Sequence, residues 1–295
     1  MSTPRTSPVT VLLRAALPSV PVVNRLPGVR KAPASRFTGL VRTAPPVTID
    51  RAHVERYARV CGFPAKDVVP LPYPHLLAFG MQMAMMSDQA FPAPAIGMVH
   101  VANSITQHRP VAVGESVSVT ARVGAPLPHP RGTVYEFVTE VRADDELVWQ
   151  EVSAYLRRGR GDAAAVYGTV PPAVEPGGIP WRLPADLGRR YAAVSGDRNP
   201  IHLHPLTARA LGFPRQIAHG MWTLARCVAA LENRLPDAVR VDVAFKRPVL
   251  LPGTVVLGTA RVEGDGDTVP GWGFGLTSPT GTTHLTGRTA HPGLG

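Results

Sequence analysis

The chain has 295 residues, 44% of them apolar, which allows one large or two modest domains around a sizeable core and excludes global disorder. A formal charge of +10 suits an anionic partner, but the arginines are scattered and no basic run is interleaved with aromatics, so nucleic acid is disfavoured; a phosphate-bearing small molecule or plain surface charge remain as uses for it. No run of ~18 apolar residues is long enough to cross a membrane, and two cysteines, Cys61 and Cys227, each in an apolar stretch, indicate buried thiols in a reduced, cytoplasmic setting rather than a disulfide framework.

Residues 1–30 read as a Pro-rich entry segment, because Arg14 interrupts the apolar run that could suggest a signal peptide. Asp50 is placed to cap a helix carrying Val54, Tyr57, Ala58 and Cys61 and ended by Gly62. His75 to Ser87 reads as a long apolar helix with a methionine cluster (Met81, Met83, Met85, Met86), and strands are expected at 97–108, 115–123, 134–142 and 147–157. The stretch from Gly159 to Pro180, rich in Gly, Ala and Pro, reads as a linker. Leu187, Tyr191 and Val194 then recur at helical spacing up to Gly196. A short helix is expected over 205–211 and a strongly apolar one over 219–233. Strands follow at 239–245 and 254–262, with a hairpin, 272–277 and 282–289, turning about Ser278-Pro-Thr-Gly281.

The plan is written twice. His108-Arg-Pro-Val-Ala-Val-Gly and the strand after it match Lys246-Arg-Pro-Val-Leu-Leu-Pro-Gly and its strand, and Tyr57 with Gly62 matches Tyr191 with Gly196. Pairing Gly80-Met81 with Gly220-Met221 completes the alignment and sets Phe63 opposite Asp197 and Val68 opposite His202. On that alignment 18 residues separate the paired glycines in the first half and 24 in the second. The expected architecture is α+β: two repeats, each an antiparallel sheet wrapped round a long helix, at 31–158 and 181–295, joined by 159–180.

The chemistry concentrates in Tyr191-Ala-Ala-Val-Ser-Gly-Asp-Arg-Asn-Pro-Ile-His202. Asp197 and His202 can exchange protons near neutral pH, and a helix N-terminus at His219-Gly220 can hold developing negative charge. Tyr191-x3-Ser195-Gly196-Asp197-x-Asn199-Pro200-Ile201-His202, followed by Ala208, Gly212-Phe213, Ile217 and Ala218-His219-Gly220-Met221, resembles the hydratase 2 motif of MaoC-like dehydratases, the (R)-specific enoyl-CoA hydratases of hot-dog fold. His204 departs from the pattern, where an acidic residue is frequent, and is expected to affect loop packing rather than chemistry.

The resemblance implies a double hot-dog chain that adds water reversibly to trans-2-enoyl thioesters. Asp197 and His202 would be the catalytic pair, backbone N–H groups near Gly220 would stabilise the thioester oxygen, Asn199 would hold the loop or water, and Ser195 would brace the turn. No cofactor is implied, because coenzyme A or an acyl carrier phosphopantetheine arrives with the substrate. The first half would supply the acyl-chain side of the pocket from the Tyr73-to-Met86 region. Arg215, Lys246 and Arg247 are candidates for the coenzyme A phosphates, against a reading as surface charge. His202-x-His204 with His219 hints at zinc, but no cysteine or further carboxylate in the motif completes a ligand set, so no metal is expected. His75, His100, His108 and His284 receive no role. A hot-dog thioesterase and a non-catalytic acyl-thioester-binding subunit are the rival functions, and monomer and homodimer both stay open.

Overall fold

The computed structural model describes residues 31, 33–262 and 271–293; the Pro-rich segment 1–30 lies outside them. In chain order the elements are β1 (Leu40–Thr48), α1 (Arg51–Cys61), α2 (His75–Ser87), β2 (Met98–Gln107), β3 (Ser116–Val123), β4 (Leu127–His129), β5 (Gly132–Ala143), β6 (Glu146–Arg158), β7 (Trp181–Leu183), α3 (Leu187–Ser195), α4 (Pro200–Leu203), α5 (Pro205–Ala210), α6 (Gly220–Leu231), β8 (Val239–Phe245), β9 (Gly253–Val262), β10 (Gly271–Thr277) and β11 (Thr283–Ala290). The helix ends follow from local chemistry. The Asp50 side chain accepts from the N–H groups of Ala52 and His53, and Gly62 and Gly196 end α1 and α3 at φ of 82° and 76°, left-handed values that cost a glycine nothing.

The strands form one antiparallel sheet in the order β1-β3-β5-β6-β2-β8-β11-β10-β9-β7, with β4 off the path on β5. The order is palindromic by repeat: five strands of the first half meet five of the second at the β2–β8 seam. The seam runs from Ala102 opposite Ala244 to Gln107 opposite Val239. Ser104 stands opposite Asp242 and donates to its carboxylate at 2.7 Å, and a pseudo-two-fold axis passes through that pair. This is the double hot-dog, α+β architecture that the repeat implies. The halves also share a core. The rings of Tyr57 and Tyr191, equivalent in the two halves, lie 6.2 Å apart, and Trp222 Nε1 donates to the Val60 carbonyl at 3.0 Å. A second apolar cluster, with Phe37, Met85, Met86, Phe91, Tyr135 and Phe137, belongs to the first half alone.

The structure corrects part of the repeat alignment. Gly80 lies midway along α2, whereas Gly220 is the first residue of α6, so the helices align through His75 and Gly220. Isolated bridges join Val68 to Ala112 and Ile217 to Leu250, and the N–H groups of Val69 and Ala218 bond the carbonyls of Val111 and Val249. Val68 is therefore the counterpart of Ile217, not of His202. Six residues lead from Gly62 to Val68 and 21 from Gly196 to Ile217, so the first half lacks the whole excursion that carries α4 and α5.

Candidate active site

The excursion begins where α3 stops. The Ser195 hydroxyl accepts from the Asp197 N–H at 3.2 Å, and Asp197 Oδ1 accepts from the Asn199 N–H at 3.0 Å. Asn199 caps α4 through the Ile201 N–H at 3.3 Å, and Pro200 fits the first helical position, where no N–H is needed. This succession of local side-chain-to-backbone bonds fixes the turn without regular structure. His202 follows on α4 and is buried. Its Nδ1 donates to the Ile217 carbonyl at 2.8 Å, and Ile217 is itself tied to the Ile201 carbonyl. A Cβ on Gly188 would overlap the His202 carbonyl oxygen, so only glycine lets α3 and α4 come this close.

His219 comes in from the other side, one residue before α6. Its Nε2 donates to the Asp197 carbonyl at 3.0 Å and stands 3.8 Å from Asp197 Oδ2, and its ring stacks on His202 with centroids 3.7 Å apart. The N-terminus of α6 carries no side-chain cap, so the first N–H groups of the helix keep their capacity to bond an incoming oxygen. Phe245 packs against Gly220, where a Cβ would come within 3.3 Å of the ring.

The protonation states follow from these surroundings. Burial depresses His202 below the ordinary histidine range, against the pull of Asp197 and of the Ile217 carbonyl, so at neutral pH it holds one proton, on Nδ1, and offers the Nε2 lone pair. Burial, with His202 alongside, takes His219 down to about 3. The Asp197 side chain keeps 26% of its surface exposed. Burial would raise its carboxyl, but the rings of His219 and His202, the Asn199 N–H and the charge of His75 outweigh that and hold it below the usual carboxylate range. An ionised carboxylate thus faces a neutral imidazole.

The ligating atoms of Asp197, His202 and His219 lie within 4.8 Å of one another, so a carboxylate does join the histidines, contrary to the expectation from the motif. His204 stays out: it is exposed and caps α5 through the Leu206 N–H. His202 and His219 each spend one ring nitrogen on a carbonyl, which leaves His202 Nε2 and Asp197 Oδ2 as free donors on the open side, one short of the three of a typical catalytic zinc site. The same spacing lets one water bond Asp197 and His202 together.

Of the candidate phosphate contacts, Arg215, Lys246 and Arg247 are all exposed. Lys246 and Arg247 line an open groove of about 550 Å³ with Thr280, Thr282 and Thr283. The groove starts one residue from Phe245, which covers Gly220. The sequence reading passed over the first half's contribution: His75, His100, Glu151 and Tyr155 lie close enough for charges to pass between them and Asp197 or its neighbours. The available signal was a polar residue at inward strand positions, Asn103 on β2 and Glu151 on β6.

A family model described as "MaoC like domain" matches residues 178–269. The chain is 39% identical to "3-hydroxyacyl-thioester dehydratase X" of Mycobacterium tuberculosis over 93% of its own length and 95% of the relative's. It is 36% identical to the "(R)-specific enoyl-CoA hydratase" of Aeromonas caviae over 25% of this chain and 55% of that protein. The crystal structure of HtdX of Mycobacterium tuberculosis superposes with a TM-score of 0.72 at 39% identity, covering 85% of this chain and 99% of that one.

Proposed function

Because this chain belongs to the MaoC-like dehydratase family, we propose that it catalyses the reversible hydration of trans-2-enoyl thioesters to (3R)-3-hydroxyacyl thioesters. It is then a hydro-lyase of fatty acid metabolism. The observation that carries this is the pairing of an ionised Asp197 with a neutral His202, whose free Nε2 lies within 4.8 Å of the carboxylate beside the uncapped end of α6.

A water held between the two is activated by one of them and adds through oxygen to C3. Its proton is taken into the pair, and a proton is returned from the pair to C2, so water adds across the double bond with nothing left over. As C3 is attacked, negative charge moves to the thioester oxygen. The N–H groups at Gly220 and beyond are placed to receive it, a contribution of about 3 kcal/mol for one such donor. Asn199 and Ser195 hold the turn that presents Asp197, and His219 holds its backbone.

The thioester handle brings phosphates, whether on coenzyme A or on an acyl carrier. The groove with Lys246 and Arg247 suits that charge, and so does exposed Arg215. The aromatic and methionine cluster of the first half suits the acyl chain. Among the described residues no helix is long and apolar enough to cross a membrane, and the two buried, free thiols suit a reducing, cytoplasmic compartment. Purified protein given crotonyl-CoA and longer enoyl-CoAs should remove the absorbance of the conjugated enoyl group and yield the (3R) alcohol. Thiol release without hydration would make it a thioesterase, and saturable binding without turnover would make it a carrier subunit.

A further inference from the structure

One group of buried charges stands outside this chemistry. His75, the first residue of α2, and Glu151, in the middle of β6, are 4% and 1% exposed. His75 Nδ1 lies 2.9 Å from both carboxylate oxygens, and Asn103 Nδ2 donates to the same carboxylate at 2.7 Å and to the Ser153 hydroxyl at 3.0 Å. The pseudo-two-fold relates Glu151, opposite Ile105, to Gly287, opposite Val243. In the second half the ring of Phe274 fills the space beside that glycine. The same molecule thus holds an apolar solution to the same position. A buried ion pair gains little over such packing, so stability does not account for the pair.

The pair stands beside the active site. The charge of His75 acts on Asp197, and Glu151 and Asp197 act together on the Tyr155 and Tyr191 hydroxyls. Tyr155 stacks on His100 at 4.5 Å, and His100 meets Phe245 at 4.9 Å, the ring that covers Gly220. The His75 Nε2 makes no hydrogen bond among the described residues.

We propose that His75, oriented by Glu151 and Asn103, is a positioning residue of the reaction: it is the first half's cation that keeps the Asp197 carboxylate ionised. The proposal rests on the reading of Asp197 as one of the water-activating pair. Where a carboxylate begins to take up its proton, an imidazole ordinarily carries its own already, so His75 opposes protonation of Asp197. Glu151 makes that cation tolerable inside the protein. The titratable groups facing Asp197 are His219 before α6, His202 on α4, His75 on α2, His100 on β2, Glu151 and Tyr155 on β6, and Tyr191 on α3. Burial holds His100 and His219 down at about 3 and depresses His202, which leaves His75 to supply the charge.

The test is the pH profile of kcat/KM for crotonyl-CoA, together with the titration of Asp197 followed by carboxylate carbon NMR and assigned with Asp197→Asn. His75→Gln is expected to move the acid limb and the titration up by about 0.5 pH unit or more, with KM at neutral pH within about twofold of the parent. The double variant His75→Gln/Glu151→Gln, which buries no unpaired charge, is expected to move both in the same direction by less, and it carries the test if the single variant does not fold. A limb and titration in the folded double variant within about 0.2 unit of the parent overturn the proposal, whatever happens to overall rate or melting temperature. A protein that hydrates nothing, yet shows the raised Asp197 titration on loss of His75, would sink the functional reading and leave this one standing.

Discussion

A backbone carbonyl decides which nitrogen of His202 does chemistry. Ile217 takes the Nδ1 proton at 2.8 Å, and the lone pair is left on Nε2, toward Asp197. Asp197→Asn removes the negative partner and His202→Ala removes the base, and each should slow hydration by ~100-fold or more while leaving KM much less changed. Steady-state rates on crotonyl-CoA read the difference directly. Exhaustive dialysis against a chelator should leave the rate unchanged, because Asp197 Oδ2 and His202 Nε2 are too few free ligands for a resident zinc; loss of activity restored by added zinc would reverse that assignment. Asp197 and His202 were legible in the sequence because turn formers surround them in close order. His75 and Glu151 were not, because their partnership spans 76 residues and only the sheet register brings them together.

Single contacts between elements place these side chains. The excursion carrying α4 is anchored where Gly188 on α3 lies under the His202 carbonyl. Gly188→Ala must push α4 away, and a displacement of an ångström at a reacting group costs on the order of 100-fold. The variant should therefore keep its circular dichroism and lose kcat/KM by roughly 10- to 100-fold; an unchanged rate would show that α4 is positioned from elsewhere. Helices were the readable elements, since caps and left-handed glycines mark their ends: α2 was expected at 75–87 and lies there. The β1 strand escaped notice because it is an edge strand, exposed at most positions, with Pro45 and Pro46 inside it and a register shift between Ala44 and Val47. β7 is three residues long and shows no alternation to read. The loss of the α4–α5 excursion from the first half was legible as a shorter spacing, but its extent was hidden. The helices begin at different points after the bridges of Val68 and Ile217, and glycines alone were a misleading anchor for the alignment.

On the scale of the whole molecule, the buried histidines set the response to acid. His100, His202, His219 and His284 are all depressed, chiefly by burial, the first and third down to about 3. The unfolded chain binds their protons from about pH 6.5 downward, while the folded chain refuses them. The stability they confer is therefore complete above about pH 6.5 and drains away as the pH falls toward their folded values; the lowered carboxyls of Glu115, Glu140, Glu151 and Asp197 act in the same direction lower down. Calorimetry should show the melting temperature falling by several degrees between pH 7 and pH 5, where a plateau would contradict the burial of neutral imidazoles.

The β2–β8 seam, with Ser104 and Asp242 at its centre, joins two hot-dog units that share one polypeptide. Their association is consequently a first-order event, governed by the effective concentration that the covalent link imposes and not by how much protein is present. Such a pair cannot be diluted apart, and it is freed from the identity that symmetry imposes on two separate copies. One unit can shed its excursion and keep a carboxylate in its interior while the other retains the reacting groups, a division of labour that a homodimer of single units could not evolve.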